Sequence, residues 1–252
     1  VNARVWFDQF VRLGADLVFP PQCSGCGQIG AIFCPRCAQS VEMAPPSVCS
    51  HCGRIQPTAV PLCSLCQEED DPPLTLTRAA AIYTDPLRSA IHALKYEGKA
   101  ELGAPLSRYL VAIFQRPPWT ELTFSFDGCI PVPLHPKRYK ERGYNQAALL
   151  ASGFSKWVKI PLRERWLARS RETASQVTLS AEERRKNTAD AFIAPPDVAG
   201  KRLLVIDDVT TTGATLTACA HALRKAGAAT ICGLALATPH RDGSTNPRQM
   251  TG

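Results

Sequence analysis

The sequence predicts an α/β fold, a mostly parallel doubly wound sheet, preceded by a small Cys-rich module that binds metal. Three observations carry this. Eight of the eleven cysteines fall between Cys23 and Cys66 as four C-x-x-C pairs. After an acidic, proline-bearing stretch (QEEDDPPLT, 67–75), short apolar runs alternate with helical stripes. One of those runs, 203–208, leads through two acids into a Thr/Gly loop and then a helix. At 252 residues, 45% of them hydrophobic, the chain has material for one large domain, or one ordinary domain plus a module, around a real core. The aliphatic content excludes a wholly disordered chain.

The elements follow in order. Residues 1–20 carry Trp6, Phe7, Phe10, Leu13 and Leu17 at helix-like spacing, broken by Arg4, Asp8, Arg12 and Asp16. This predicts an amphipathic helix, not a secretory signal. No apolar run approaches the roughly 18–20 residues that span a bilayer, so no membrane span is expected and the chain is taken as cytoplasmic. Residues 21–71 form the Cys-rich module, with the boundary near Asp71 and the body over 72–240. In that body Ala79–Thr84 predicts a strand. Asp85-Pro86 opens a helix striped by Leu87, Ile91 and Leu94 and ending near Gly98. Leu102, Leu106, Leu110 and Ile113 stripe a second helix. Cys129–Pro133 is the next strand and Asn145–Trp157 the next helix. Ser180-x-x-Glu183 is a capping box opening a helix over Ser180–Lys186. Arg202–Asp208 and Thr230–Thr238 are strands flanking the helix Ala214–Ala226, which Gly227 stops. Alternation of this kind predicts parallel strands with helices on both faces. Residues 241–252 are polar and predict a loose tail.

A C-x-x-C knuckle turns two thiolates toward one point, and two knuckles complete the tetrahedral sulfur set that zinc prefers. In chain order, one site is Cys23, Cys26, Cys34 and Cys37, the other Cys49, Cys52, Cys63 and Cys66. An interleaved pairing satisfies the same spacing. With four thiolates each and no open position, both Zn²⁺ sites would be structural, and loss of Cys23 or Cys49 would unfold the module while sparing the body. Cys129, Cys219 and Cys232 sit among apolar residues and are expected in the core.

Leu203–Thr215 is the most informative segment. An apolar strand carries Asp207 and Asp208 to its carboxyl end, where open α/β sheets bind ligands. Val209 and Thr210 lead on to Thr211, Thr212, Gly213, Ala214 and Thr215. The loop amides and helix N-terminus offer donors and partial positive charge for a phosphate, the Thr hydroxyls add donors, and Gly213 lets backbone approach closely. The two carboxylates suit the paired hydroxyls of a ribose and are expected to face ligand rather than packing. Neither a P-loop nor a G-x-G-x-x-G fingerprint is present.

This segment resembles the 5-phosphoribosyl-1-pyrophosphate (PRPP) signature of type I phosphoribosyltransferases. With IHALKYEGK (91–99), PVPLHPKRYKERGYNQ (131–146), RETASQVTLSAEERRKN (171–187) and LALATPH (234–240) behind the Cys-rich double zinc ribbon, residues 17–240 resemble the ComF family, including its GntX-type relatives. The resemblance implies a type I phosphoribosyltransferase-like body and a link to competence, natural transformation and DNA uptake. It places the ribose hydroxyls on Asp207 and Asp208 and the 5-phosphate on Thr211–Thr215. Pro131, Val132, Pro133 and Leu134 would be the pyrophosphate loop, and Mg²⁺ would accompany PRPP. Lys137, Arg138, Lys140 and Arg142, hinged at Gly143, would close over pyrophosphate. Turnover would displace pyrophosphate from C1 of the sugar by a nitrogen nucleophile; whether it occurs, and on which acceptor, stays open.

Charge is uneven. Residues 1–73 carry four basic and seven acidic side chains, the remainder 25 and 15. A basic body favours phosphate-bearing partners. Tyr139 and Tyr144 beside Lys137–Arg142, Trp166 among Arg163, Arg165, Arg169 and Arg171, and the run Arg184–Lys186 interleave cations and rings as single-stranded DNA binding requires. Candidate partners are therefore PRPP or a ribose phosphate, single-stranded DNA and other DNA-uptake proteins.

Overall fold

The computed structural model describes residues 20–169 and 191–240. The expected N-terminal helix, the Ser180–Lys186 helix, Arg171, Arg184, Arg185, Lys186 and the tail lie outside the described residues.

Four parallel strands form the sheet: β1 (Leu76–Ile82), β2 (Gly128–Pro131), β5 (Arg202–Val209) and β6 (Thr230–Thr238), in the order β1-β6-β5-β2. A two-stranded antiparallel ribbon, β3 (Ala168–Arg169) with β4 (Phe192–Ile193), stands apart from it. The Cys-rich part holds two short helices, α1 (Pro35–Gln39) and α2 (Ser64–Gln67). The body adds α3 (Leu87–Tyr96), α4 (Gly103–Phe114), α5 (Pro136–Arg142), α6 (Gln146–Val158) and α7 (Ala214–Lys225). Among the described residues no helix is long and apolar enough to cross a membrane.

Each expected strand and helix within the described body forms, with ends displaced by a few residues. The reason is the stripe. Leu87, Ile91 and Leu94 of α3, and Leu102, Leu106 and Leu110 of the turn leading into and along α4, are fully buried. Successive side chains of a strand alternate faces, and β5 shows the consequence. Leu204 and Ile206 join the core beneath α3, α4 and α6, while Leu203 and Val205 join the core beneath α7. Helices on both faces make the sheet doubly wound. Cys129, Cys219 and Cys232 are fully buried, as expected.

The Cys-rich part is not a separate bead. Cys23, Phe33, Cys34, Cys37 and Val41 belong to the same apolar cluster as α3, α4 and the sheet. Residues 42–44 run antiparallel beside β1, with Ala44 N–H donating to Ala80 C=O at 3.0 Å and Ile82 N–H to Glu42 C=O at 2.8 Å. Tyr109 of α4 donates its hydroxyl to the Ala38 carbonyl at 2.8 Å. The second cysteine set keeps a small core of its own, Cys49, Cys63 and Cys66 with Cys52 and Val60. The expectation that either cysteine set could be lost without touching the body therefore does not carry over to the first.

Candidate functional site: a strand-end acid pair beside two zinc clusters

The four knuckles pair in chain order. Each sulfur set, Cys23/26/34/37 and Cys49/52/63/66, lies within 4.8 Å of itself. Cys26 and Cys34 sulfurs are 3.7 Å apart, Cys52 and Cys63 3.7 Å, Cys49 and Cys66 3.9 Å. A tetrahedron with Zn–S bonds of about 2.3 Å has edges of about 3.8 Å, so the donor sets fit Zn²⁺. Cys34 N–H donates to the Cys23 sulfur at 3.2 Å and Cys63 N–H to the Cys49 sulfur at 3.3 Å, orienting thiolates toward each centre. Backbone N–H donation from Gln28, with Arg36 and Cys37 adding to it, lowers the Cys26 thiol to about 6. Burial, then the neighbouring sulfurs, pushes Cys37 and Cys66 up. Four thiols this close cannot all ionise without a cation, which Zn²⁺ supplies. His51 takes no part; its Nε2 meets the Leu74 carbonyl at 2.7 Å.

All four parallel strands end on one edge, where the expected ligand residues gather. Asp207 and Asp208 are both buried, at 7% and 4% exposure, which corrects the expectation of open carboxylates. They also part company. Asp208 turns to the α3/α6 face, where Lys95 Nζ lies 2.5 Å from its Oδ2 and Gln146 Nε2 donates to Oδ1 at 3.5 Å. Gln146 in turn accepts from Arg142, whose guanidinium covers the Tyr96 ring at 5.2 Å. Asp207 alternates to the other face, its Oδ1 accepting the Asp208 N–H at 2.8 Å. Burial, then the Asp208 charge, holds the Asp207 carboxyl well above the usual carboxylate range. Burial works to lower the Lys95 pKa, but the charge and hydrogen bond of Asp208, with Asp207 behind it, outweigh burial and raise it.

The loop after β5 is held at its start, where Thr210 N–H donates to Ala237 C=O at 2.9 Å. Thr212 Oγ1 accepts from Ala214 N–H at 3.3 Å, and Gly213, the N-cap of α7, has φ +83° with open space where a Cβ would stand. The candidate pyrophosphate loop 131–134 continues β2, with Val132 N–H donating to Ile206 C=O at 2.8 Å. Asn145 fixes it from behind. Its Oδ1 caps α6 by accepting from Ala147 N–H at 3.0 Å, and its Nδ2 donates to Val132 C=O at 2.9 Å.

Lys137, Arg138, Lys140 and Arg142 lie on α5, a helix that buries no residue. Gly143 is its left-handed C-cap, at φ +82°, so the segment expected to close over pyrophosphate is a capped helix here. A cavity of about 380 Å³ lies between α3 and α5, lined by Lys95, Tyr96, Gly98, Arg138, Glu141 and Arg142. Of the rings expected to meet bases, Tyr139 is exposed. Tyr144 is tied down by its hydroxyl, which donates to Leu94 C=O at 2.7 Å. Trp166 packs on the second core with Arg163 over its ring at 5.0 Å. Lys95 and Tyr96 are the site residues that composition and spacing did not single out. The signal was present: Lys95 is four residues after Ile91, on the stripe that α3 buries.

Two family models match this chain, a double zinc ribbon domain over residues 14–70 and a phosphoribosyl transferase domain over 142–249. Together with the four-stranded parallel sheet they define a phosphoribosyltransferase-type body behind a double zinc ribbon. Over 160 residues, 64% of this chain and 70% of the relative, it is 36% identical to the DNA utilization protein YhgH of Escherichia coli O157:H7. It is 34% identical to Competence protein F of Haemophilus influenzae over 58% of this chain and 65% of that protein. Against Competence protein ComFC of Bacillus subtilis the identity is 26%, over 62% of this chain and 61% of the relative. The chain belongs to the ComF family. Among solved structures, an allosteric regulatory enzyme of purine biosynthesis matches with TM-score 0.37 and 20% identity, over 53% of this chain and 26% of that one. A glutamine PRPP amidotransferase from B. subtilis matches with TM-score 0.34 and 20% identity, over 56% and 26%. These likenesses are distant, and the fold assignment rests on the sheet and the family models.

Proposed function

We propose that this chain binds PRPP, or a ribose phosphate, with Mg²⁺ at the carboxyl edge of β5, and handles single-stranded DNA during DNA uptake in the cytoplasm. One observation supports this above the others: two carboxylates kept at a strand end, at the cost of burial, directly before a Thr/Gly loop that opens a helix. Burying acids is unfavourable unless they are paired or used. Asp208 is paired by Lys95, and Asp207 is left for a ligand. In the bound state Asp207 and Asp208 hold ribose hydroxyls, the amides and hydroxyls of 210–215 hold the 5-phosphate, and 131–134 face pyrophosphate. Mg²⁺ supplies charge neutralisation and orientation of the pyrophosphate oxygens. The names of the relatives, DNA utilization and competence proteins, support the DNA part, as does the exposed basic face of α5 with Tyr139.

A second reading, an active phosphoribosyltransferase with a nitrogen acceptor, draws on the cavity between α3 and α5, which Lys95, the partner of Asp208, lines. It has room for a second ligand, and catalysis there would rest on positioning and on stabilising the leaving pyrophosphate.

A gel shift with single-stranded DNA across salt, with and without PRPP and Mg²⁺, tests the proposal. Affinity should fall with salt at a log–log slope of about −0.7 per phosphate neutralised. Charge reversal at Arg138 and Lys140 should reduce affinity and slope alike for all sequences. No binding at low salt would remove the DNA part and leave the transferase reading. A pyrophosphate-release screen across nucleobases and ammonia tests that reading: release with any acceptor establishes turnover.

A further inference from the structure

The second zinc cluster ends within reach of the phosphate loop. Its knuckle runs from Cys49 through Cys52 into Gly53 and Arg54, and the backbone there is fixed several times over. Gly53 N–H donates to Cys49 C=O at 3.0 Å and Cys49 N–H to Arg54 C=O at 2.9 Å. The knuckle is also fastened to β1. Thr77 N–H donates to His51 C=O at 2.8 Å, and Arg78 donates to Ser50 C=O at 2.9 Å. Gly53 has φ +71°, and a Cβ on it would stand 2.3 Å from the Thr77 carbonyl oxygen. Only glycine lets the knuckle lie this close to the strand.

From this seat Arg54 crosses to the Thr/Gly loop, where its Nη2 donates to the Thr212 carbonyl at 3.4 Å. A guanidinium has five N–H donors and a permanent charge, and this contact uses one of them. No carboxylate among the described residues forms an ion pair with Arg54. An uncompensated cation with spare donors, held at the rim of a loop that precedes a helix N-terminus, is arranged for a dianion.

We propose that Arg54 is a phosphate-binding residue lent to the site by the zinc module, and that metal in the second cluster sets the anion affinity of the loop by holding Arg54 in place. The inference rests on the reading that 210–215 take the 5-phosphate of a sugar phosphate. It makes the zinc module part of the ligand site, with the phosphate of a phosphorylated sugar as the group recognised.

Calorimetric titration of the zinc-loaded chain with ribose 5-phosphate, and separately with inorganic pyrophosphate, tests it. Arg54→Gln should weaken ribose 5-phosphate binding about tenfold, the range of one charge-assisted hydrogen bond, and leave pyrophosphate affinity unchanged. Arg54→Lys, which keeps the charge without the fork, should fall between. Gly53→Ala should reproduce the loss with Arg54 intact and two zinc ions still bound. Wild-type affinity for ribose 5-phosphate in Arg54→Gln, or an equal loss for both ligands, would overturn the inference and leave the loop reading standing. A wild-type chain that binds no ribose 5-phosphate would overturn both.

Discussion

Asp207 and Asp208 are adjacent and chemically identical, yet their surroundings give them opposite energetics. An acid whose folded pKa lies above its unfolded value of about 3.9 stabilises the fold fully below that value. The contribution is lost as pH rises through the folded pKa, so burying Asp207 at this position is a cost at pH 7. Asp207→Asn should therefore raise stability at pH 7 by about 1–2 kcal/mol, roughly 2–8 °C in midpoint, with the gain vanishing near pH 4. Asp208→Asn strips the carboxylate from the largely buried Lys95 ammonium. It should cost about 2–3 kcal/mol, below the range for a fully buried pair because Lys95 is one-fifth exposed. Paired thermal melts from pH 4 to 8 check both signs. The place of the two acids at a strand end was legible in the sequence, but their burial was not. Burial depended on Lys95 and Gln146, which approach from helices far away in sequence.

At the level of elements, β5, its loop and α7 were legible because a short unbroken apolar run abuts a helical stripe there. α5 was not, since a helix that buries nothing leaves no apolar stripe to read. The two-residue strands β3 and β4 are too short to carry a period. Asn145 shows how one side chain joins elements, capping α6 while tying down the end of β2. Asn145→Ala should cost about 1–2 kcal/mol and loosen the 131–134 loop, read as faster amide exchange there than in β5. At Gly213 a Cβ meets no protein atom, so the cost of Gly213→Val is the left-handed backbone itself, roughly 1–2 kcal/mol. The valine variant should remain folded and lose phosphate affinity. Unchanged affinity would place the phosphate elsewhere.

For the whole molecule, the two zinc clusters differ in what they support. Spacing identified all eight ligands, since four knuckles have few alternatives, but could not show where each cluster packs. Cys23, Cys34 and Cys37 are part of the core beneath α3 and α4, whereas the second cluster has its own small core and meets the body through hydrogen bonds, to β1 and, by Arg54, to the Thr/Gly loop. Cys34→Ser should thus lower the unfolding midpoint of the entire chain, with α3 and α4 losing exchange protection together. Cys63→Ser should release residues 47–67 and leave α3, α4 and the sheet protected. Equal loss of body protection in both variants would mean that the clusters are energetically equivalent.

The central claim is that zinc ribbons and a phosphoribosyltransferase-type sheet together build one sugar-phosphate site, with a destabilising carboxylate kept for ligand. Isothermal titration of PRPP with Mg²⁺ into wild type and Asp207→Asn tests it most directly. The account predicts one-to-one, Mg²⁺-dependent binding to wild type, and affinity at least about tenfold lower in the more stable Asp207→Asn chain. Equal affinity in the two proteins, or no binding by wild type, would contradict it.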